Sequence, residues 1–201
     1  MAVRSHTIID GVQASVDTLT LDQFRALCRI KRGIIEVLDS KMSFRNVPRH
    51  LAMHQARTSY GLALLHDIGG RATHNPGAPV HRALLDTMTR HVDFYGKAEF
   101  LPYWDNADMV TNTVPGTHIS VYRDGRKAVL VIVNTSDRDI PYPRLKFGPA
   151  LSGGKRSHEL TVADAETGDG WRWTDDTWFT YDERHFQFEK HGLMLLTVEW
   201  P

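Results

Sequence analysis

The spacing of apolar residues along the chain changes once, at the segment EFLPYWD of residues 99–105. Before this segment, short apolar runs alternate with stretches of helical spacing, a pattern typical of α/β structure. After it, short alternating segments are separated by Gly, Asp and Pro turns, which is typical of antiparallel β-structure. We therefore expect an α/β layer over residues 1–98 and a separate all-β domain over residues 99–201.

Charge and cysteine content exclude several classes of protein. Lys plus Arg number 24 and Asp plus Glu number 24, so no long-range field favours a nucleic-acid or anionic membrane partner. No apolar run approaches the ~20 residues that cross a bilayer, and the first residues lack the apolar core of a signal peptide. The location expected by default is cytoplasmic. The single Cys28 excludes an internal disulfide and a Cys-rich zinc module.

The first half of the sequence predicts three strand–helix units. We expect strands near residues 7–12, 34–38 and 62–65, each followed by a stretch that forms a helix or a loop leading into one. Successive units of this kind form a parallel sheet, and a closed barrel needs eight of them and about 250 residues. The fold expected here is therefore a partial (β/α) barrel segment. A missing barrel segment or a second copy of the chain is expected to cover its open edges.

The second half predicts an antiparallel β-sandwich. Asp124-Gly125 lies between two apolar alternations, residues 118–122 and 127–133, which is a strong hairpin signal. Further short strands are expected near residues 160–164, 171–179, 184–189 and 192–198, with turn residues between them. About seven or eight such strands with regular turns are typical of a sandwich.

The candidate catalytic residues follow the predicted strands of the first half. His66 and Asp67 come directly after the apolar run 62–65, and Asp10 and Asp39 follow the other two strands. Parallel α/β folds concentrate functional groups at the carboxyl ends of strands, and sugar hydrolysis uses two carboxyl groups there. The alternative is structural: acidic residues also form turns, Asp67 can cap the following loop, and His66 can be a buried structural histidine.

Aromatic residues at the change in apolar spacing are candidates for ligand binding. Tyr103 and Trp104 offer flat apolar faces that suit the C–H face of a sugar ring, although packing within the protein is the favoured explanation for both. His50 and His54 have the spacing of two metal ligands on a helix. Leu51 stands where zinc proteases carry Glu, so no metal site is expected. No phosphate-cradling glycine motif is present, and no cofactor is expected.

Several segments resemble a known group of proteins. They are MHQARTSYGLALLHD at 53–67, the 99–105 segment, the hairpin of residues 120–134 and DAETG at 164–168. Together they resemble the carboxyl-terminal part of uncharacterised glycoside-hydrolase-like proteins, which are similar to glycosidases that join a (β/α)8 barrel to a β-sandwich. The resemblance implies a carbohydrate-active protein with its last barrel strands before Glu99 and a sandwich after it. Most of the barrel is absent, including the region where such enzymes carry an acid–nucleophile pair.

Two functions follow as hypotheses. The first is hydrolysis of glycosidic bonds, with Asp67, His66 and Asp10 as catalytic residues and Tyr103, Trp104 and Asp39 binding the carbohydrate. The second is a non-catalytic β-sandwich module that binds a glycan or a protein.

Overall fold

A computed structural model describes residues 6–9, 12–15, 21–22, 25, 36–38, 49–71, 77–174, 178–180 and 187–201. The chain divides into two compact units, residues 1–86 and residues 87–201. Asp10 and Asp39 lie outside the described residues. The predicted domain boundary before Glu99 stays a prediction.

The first unit combines helices with a small mixed sheet. Its described elements are β1 (His6–Ile9), β2 (Val12–Ser15), β3 (Glu36–Leu38), α1 (Arg49–Leu65), β4 (Gly69–Arg71) and the start of α2 (Gly77–His91). The strand order is β2-β1-β3-β4. β1 pairs antiparallel with both β2 and β3, while β3 and β4 are parallel and α1 lies between them in the chain.

The partial barrel is not confirmed, because a barrel segment needs successive parallel strands. Among the described strands of this sheet, only β3 and β4 pair in parallel. The reason is visible at the start of the chain, where Ile9 pairs with Val12 and only Asp10-Gly11 separates them. A two-residue Asp-Gly connection is the spacing of a hairpin, and it makes the first two strands antiparallel.

The predicted strand at residues 62–65 is wrong, because these residues form the last turn of α1. The helix runs from Arg49 to Leu65 without a break. Leu, Ala, Met, Gln and Arg dominate it, and these residues have high helix propensity. Ala63, Leu64 and Leu65 are buried, so the apolar run reflects burial of one helix end. A short buried run has the same composition in a helix and in a strand.

α2 is amphipathic along most of its length. Leu84, Met88 and Val92 are buried at intervals of four residues, whereas Tyr95, beyond the helix end at His91, is 73% exposed. No helix in the described part of the chain is long and apolar enough to span a bilayer.

The second unit consists mainly of antiparallel strands. After α2, its elements are β5 (Glu99–Leu101), β6 (Val110–Asn112), β7 (Thr117–Asp124), β8 (Lys127–Asn134), β9 (Ile140–Pro141), β10 (Leu145–Phe147), α3 (Pro149–Ser152), a 3-10 turn (Ser157–Glu159), β11 (Thr161–Asp164), β12 (Arg172–Thr174), β13 (Trp178–Thr180), β14 (Gln187–Phe188) and β15 (Leu193–Glu199). A five-stranded sheet has the order β11-β15-β8-β7-β5, a four-stranded sheet β12-β13-β10-β6, and β14 pairs with β9.

The hairpin of β7 and β8 is confirmed and forms the centre of the larger sheet. Asp124 pairs with Lys127, so the turn contains Gly125 and Arg126, and Gly125 has a φ of 63°. Val129 to Val133 are at most 1% exposed. One hydrophobic core joins residues of both larger sheets, among them Val121 and Leu130 of the five-stranded sheet and Leu145 of the four-stranded sheet. Burial of this apolar area stabilises the second unit.

Candidate pocket beside Tyr103 and His118

A tight turn before β7 shapes one wall of a pocket. Val114-Pro115-Gly116-Thr117 is a β-turn in which the Thr117 amide donates to the Val114 carbonyl at 3.3 Å. Gly116 has a φ of 85°, and a Cβ on it would lie 3.1 Å from Ser136 Cβ. Pro followed by Gly is the usual sequence of a type II turn, because only glycine adopts this φ without strain. The turn brings the Gly116 carbonyl to Thr135, just after β8.

Thr135 connects this turn to His118. Its amide and its hydroxyl both donate to the Gly116 carbonyl, at 2.8 and 3.0 Å. His118 lies on β7, and its Nδ1 is 2.9 Å from the Thr135 hydroxyl oxygen. Burial lowers the pKa of His118 from its ordinary value, and the hydrogen bond with the Gly116 backbone offsets only part of this effect. This environment therefore favours the neutral imidazole.

The loop after β5 supplies the opposite wall. The amide of Tyr103 donates to the Ser120 hydroxyl at 3.0 Å, which ties the loop to β7. Asn106 is buried, and its side-chain amide donates to the carbonyls of Ile119 at 2.8 Å and Leu101 at 3.2 Å. The Tyr103 ring meets the His118 ring edge to face, with their centroids 4.6 Å apart. The loop therefore presents an aromatic ring in a fixed position.

Together these segments line a pocket of about 220 Å³. The lining residues come from the loop, from β6 and from the start of β7: Tyr103, Asn106, Ala107, Val110, Thr111, Asn112, Thr117, His118 and Ile119. None of these residues is acidic or permanently charged. The pocket can therefore stack against an apolar ring and exchange hydrogen bonds with hydroxyl groups. The lining does not contain the two carboxyl groups that most glycoside hydrolases use.

Tyr103 lies in this pocket, as a binding residue should, and Trp104 lies next to it. The rings of Tyr103 and Trp104 meet at nearly a right angle with centroids 4.8 Å apart. Trp104 does not line the pocket itself. The binding role predicted for these two residues and for Asp39 stays a prediction.

His66 and Asp67 lie at the end of α1, where the sequence predicted the end of a strand. His66 is buried, and its Nδ1 is 2.8 Å from the Leu62 carbonyl one turn earlier. Asp67 has a φ of 53°, and the amide of Ile68 donates to the Ala63 carbonyl at 3.0 Å. This geometry is a helix end closed by a left-handed residue. The strand-end argument for catalysis by Asp67 and His66 no longer holds, and their catalytic roles, like that of Asp10, stay predictions.

Histidines and acids do not gather into a metal site in the described part of the chain. No group of three or more His, Cys, Asp or Glu side chains there has the arrangement to hold an ion. His50 and His54 lie one turn apart on α1, as their spacing predicts.

The sequence reasoning missed His118 and Asn106 as pocket residues, and Thr135 as the residue that contacts His118 from outside the lining. The Pro-Gly turn was a signal, because it placed a sharp bend directly before His118. Asn134-Thr135-Ser136 also fits the triplet for N-glycosylation, but Asn134 is fully buried. Its side-chain nitrogen lies within 3.1 Å of the carbonyls of Arg138, Phe188 and Glu189. The triplet is thus part of the folded framework that holds Thr135.

Comparison with known proteins finds solved structures of similar fold but no matching sequence family. No protein-family model and no curated protein sequence matches the chain. Among solved structures, a maltogenic α-amylase, AmyB, from Thermotoga neapolitana superposes with a TM-score of 0.51 at 12% identity, covering 90% of this chain and 45% of that one. An α-amylase from Geobacillus thermoleovorans, in complex with acarbose, gives a TM-score of 0.46 at 7% identity, covering 81% and 37%.

The chain thus spans less than half the length of each of these enzymes. The comparison with AmyB shows a likeness of fold to part of that enzyme, in helices and antiparallel sheets. At this identity, a shared fold does not carry an activity with it.

Proposed function

We propose that residues 99–201 form an antiparallel β-sandwich module that binds a neutral carbohydrate in the pocket beside Tyr103 and His118. The observation that carries the proposal is the lining of this pocket. An aromatic ring is held in place beside a neutral imidazole, with amide and hydroxyl groups around them and no acidic residue. This corresponds to the second of the two functions that the sequence raises.

The chemistry of the lining suits a sugar ring. The apolar C–H face of a pyranose matches the face of a tyrosine, while its hydroxyl groups both donate and accept hydrogen bonds. Asn112 and Thr111 offer both kinds of partner on β6. The volume of about 220 Å³ is below the about 300–1,000 Å³ of pockets for larger ligands, so one ring of a glycan is the expected occupant.

Binding is favoured over hydrolysis by the absence of acids from the lining. A glycosidase needs a proton donor and a nucleophile or base, both of them carboxyl groups in most families. Tyr103 and His118 cannot replace such a pair. As a hydrolase, the chain would need its catalytic acids elsewhere, either at the predicted Asp67 and Asp10 or in a missing barrel segment.

Calorimetric titration of the full chain with maltotriose, cellotriose and xylotriose tests the proposal. We expect at least one of these neutral sugars to bind, and Tyr103→Ala to weaken that binding about tenfold, because it removes a stacking ring worth ~1.4 kcal/mol. Tyr95→Ala is the matched control, since Tyr95 is 73% exposed and does not line the pocket. Equal loss in both variants, or no binding of any neutral sugar, would contradict the proposal.

The same sugars test hydrolysis directly. We expect no release of reducing sugar from any of the three after prolonged incubation with wild-type protein. Turnover that disappears in Asp67→Asn would instead support the hydrolase hypothesis and the catalytic role of Asp67.

A further inference from the structure

Two short contacts of the Thr135 hydroxyl bear on the position of one proton. Its oxygen lies 3.0 Å from the Gly116 carbonyl, which can only accept, and 2.9 Å from His118 Nδ1, which donates or accepts according to the tautomer. If Nδ1–H donates to the hydroxyl and the hydroxyl donates to Gly116, both contacts are hydrogen bonds. If the hydroxyl donates to Nδ1 instead, its oxygen faces the Gly116 oxygen with no hydrogen between them. The two contacts together therefore favour Nδ1–H.

We propose that Thr135 is a positioning residue that holds His118 in the Nδ1–H tautomer, so that Nε2 accepts a hydrogen bond from a ligand hydroxyl and the pocket prefers neutral sugars to uronates. The tautomer follows from the protein alone, whereas the ligand preference rests on the proposed function. A neutral imidazole has one donor and one acceptor nitrogen, and Thr135 occupies the donor.

The position of the His118 ring supports the assignment of Nδ1 as the donor to Thr135 and of Nε2 as the acceptor for a ligand. His118 lines the pocket and Thr135 does not, so the Nδ1 edge is turned to a residue outside the lining. The other edge, which contains Nε2, is the edge available to a bound molecule. The burial that lowers the pKa of His118 from its ordinary value disfavours the doubly protonated ring.

The preference for neutral sugars follows from this acceptor. A hydroxyl group can donate to Nε2, whereas a carboxylate has only lone pairs and would face another lone pair. Among the residues that line the pocket, none is a Lys or an Arg that could compensate for the charge of a uronate. A partly buried, unpaired carboxylate is costly.

The tautomer is measured without any ligand, from long-range 15N–1H spectra of the imidazoles in the full chain at pH 7.5. In wild-type protein we expect Nδ1 to have the shift of a protonated nitrogen and Nε2 that of an unprotonated one. Thr135→Ser keeps the hydroxyl and should preserve this pattern. Thr135→Val has nearly the same shape without a hydroxyl and should shift the population towards Nε2–H. An Nε2–H tautomer in wild-type protein would overturn the proposal whether or not any sugar binds.

The ligand preference is measured with methyl glucoside and methyl glucuronide, which differ only at C6. We expect wild-type protein and Thr135→Ser to bind the glucoside at least tenfold more tightly, and Thr135→Val to lose most of that difference. Equal or tighter binding of the glucuronide by wild-type protein would refute the preference. If neither glycoside nor any neutral trisaccharide binds, the proposed function fails and the preference fails with it, while the spectra still decide the tautomer.

Discussion

Two histidines in the two units make similar contacts with different consequences. His66 Nδ1 is 2.8 Å from a carbonyl four residues earlier in its own helix, and the residue after it ends that helix. His118 Nδ1 is 2.9 Å from a hydroxyl seventeen residues later, beyond the neighbouring strand. The first contact is local and belongs to secondary structure. The second joins distant segments and leaves one ring edge beside a pocket, so neighbours in sequence were a poor guide to the residues that line it.

The largest expected effect concerns the segment that holds Thr135. Replacing Asn134 with Ala removes a side-chain donor from the carbonyls of Phe188 and Glu189 and the acceptor of the Ser136 amide, while the Gly192 amide still donates to Glu189. We expect the free energy of unfolding to fall by about 3 kcal/mol, since each buried unsatisfied polar group costs about 1–3 kcal/mol. Urea denaturation measures the change. Asp137→Ala, in the same loop but exposed, should cost little, and a similar loss in both variants would contradict this role for Asn134.

A smaller effect is expected at the turn beneath the pocket. Gly116 and Gly125 both have positive φ, but a Cβ meets Ser136 only at position 116, while nothing lies within 4 Å at position 125. Gly116→Ala should therefore lower stability by more than the about 1–2 kcal/mol that the left-handed conformation alone costs, and Gly125→Ala by about that amount. The same urea experiment compares them. Equal losses of stability in the two variants would show that Ser136 moves away from the added Cβ at no energetic cost.

A still smaller effect is expected at the end of α1. Asp67 has a φ of 53°, a left-handed conformation that glycine tolerates better than any residue with a Cβ. Asp67→Gly and Asp67→Ala both remove the carboxylate, so the difference between their melting temperatures reports the backbone alone. Asp67→Gly should be the more stable of the two by about 1 kcal/mol. Equal stability of the two variants would contradict the left-handed helix end.

The smallest expected effect is a dependence of stability on pH. Burial lowers the pKa of His118 and of His81, whose ring stacks on Tyr60 with centroids 4.2 Å apart. Above the pKa of about 6.5 that these histidines have in the unfolded chain, they are neutral in both states. As the pH falls below that value, the unfolded chain binds protons before the folded protein does. The free energy of unfolding therefore decreases until the pH has passed the lower pKa of the folded state. His118→Gln should reduce this slope between pH 7 and 5.5. An unchanged slope would contradict the burial of the ring.

The sequence predicted the second unit better than the first for a physical reason. The hairpin at Asp124-Gly125 and the strands near residues 160–164 and 192–198 are marked by turn residues and by β-branched runs. In the first unit, Gly61 stands directly before the apolar run at residues 62–65 and suggested a break there, but the helix continues through it. The run is helical because it continues the helix that begins at Arg49. Four residues considered alone do not carry that information.

The pocket was predicted only in part, because its residues are brought together by pairing between strands. Tyr103 was identified from its position at the change in apolar spacing. His118 and Thr135 are separated by the β7–β8 hairpin, and their contact depends on its register, in which Thr117 pairs with Asn134. No motif in the sequence encodes that contact. Only the Pro115-Gly116 turn indicated where the chain reverses.

The central claim, that the second unit binds a neutral carbohydrate beside Tyr103 and His118, is tested most directly by mapping amide shifts. The full 15N-labelled chain is titrated with maltotriose, cellotriose and xylotriose. We predict saturable shifts for residues 103–119 and for Thr135, with residues 66–71 unaffected. Shifts confined to residues 66–71, or none with any of the three sugars, would contradict the account.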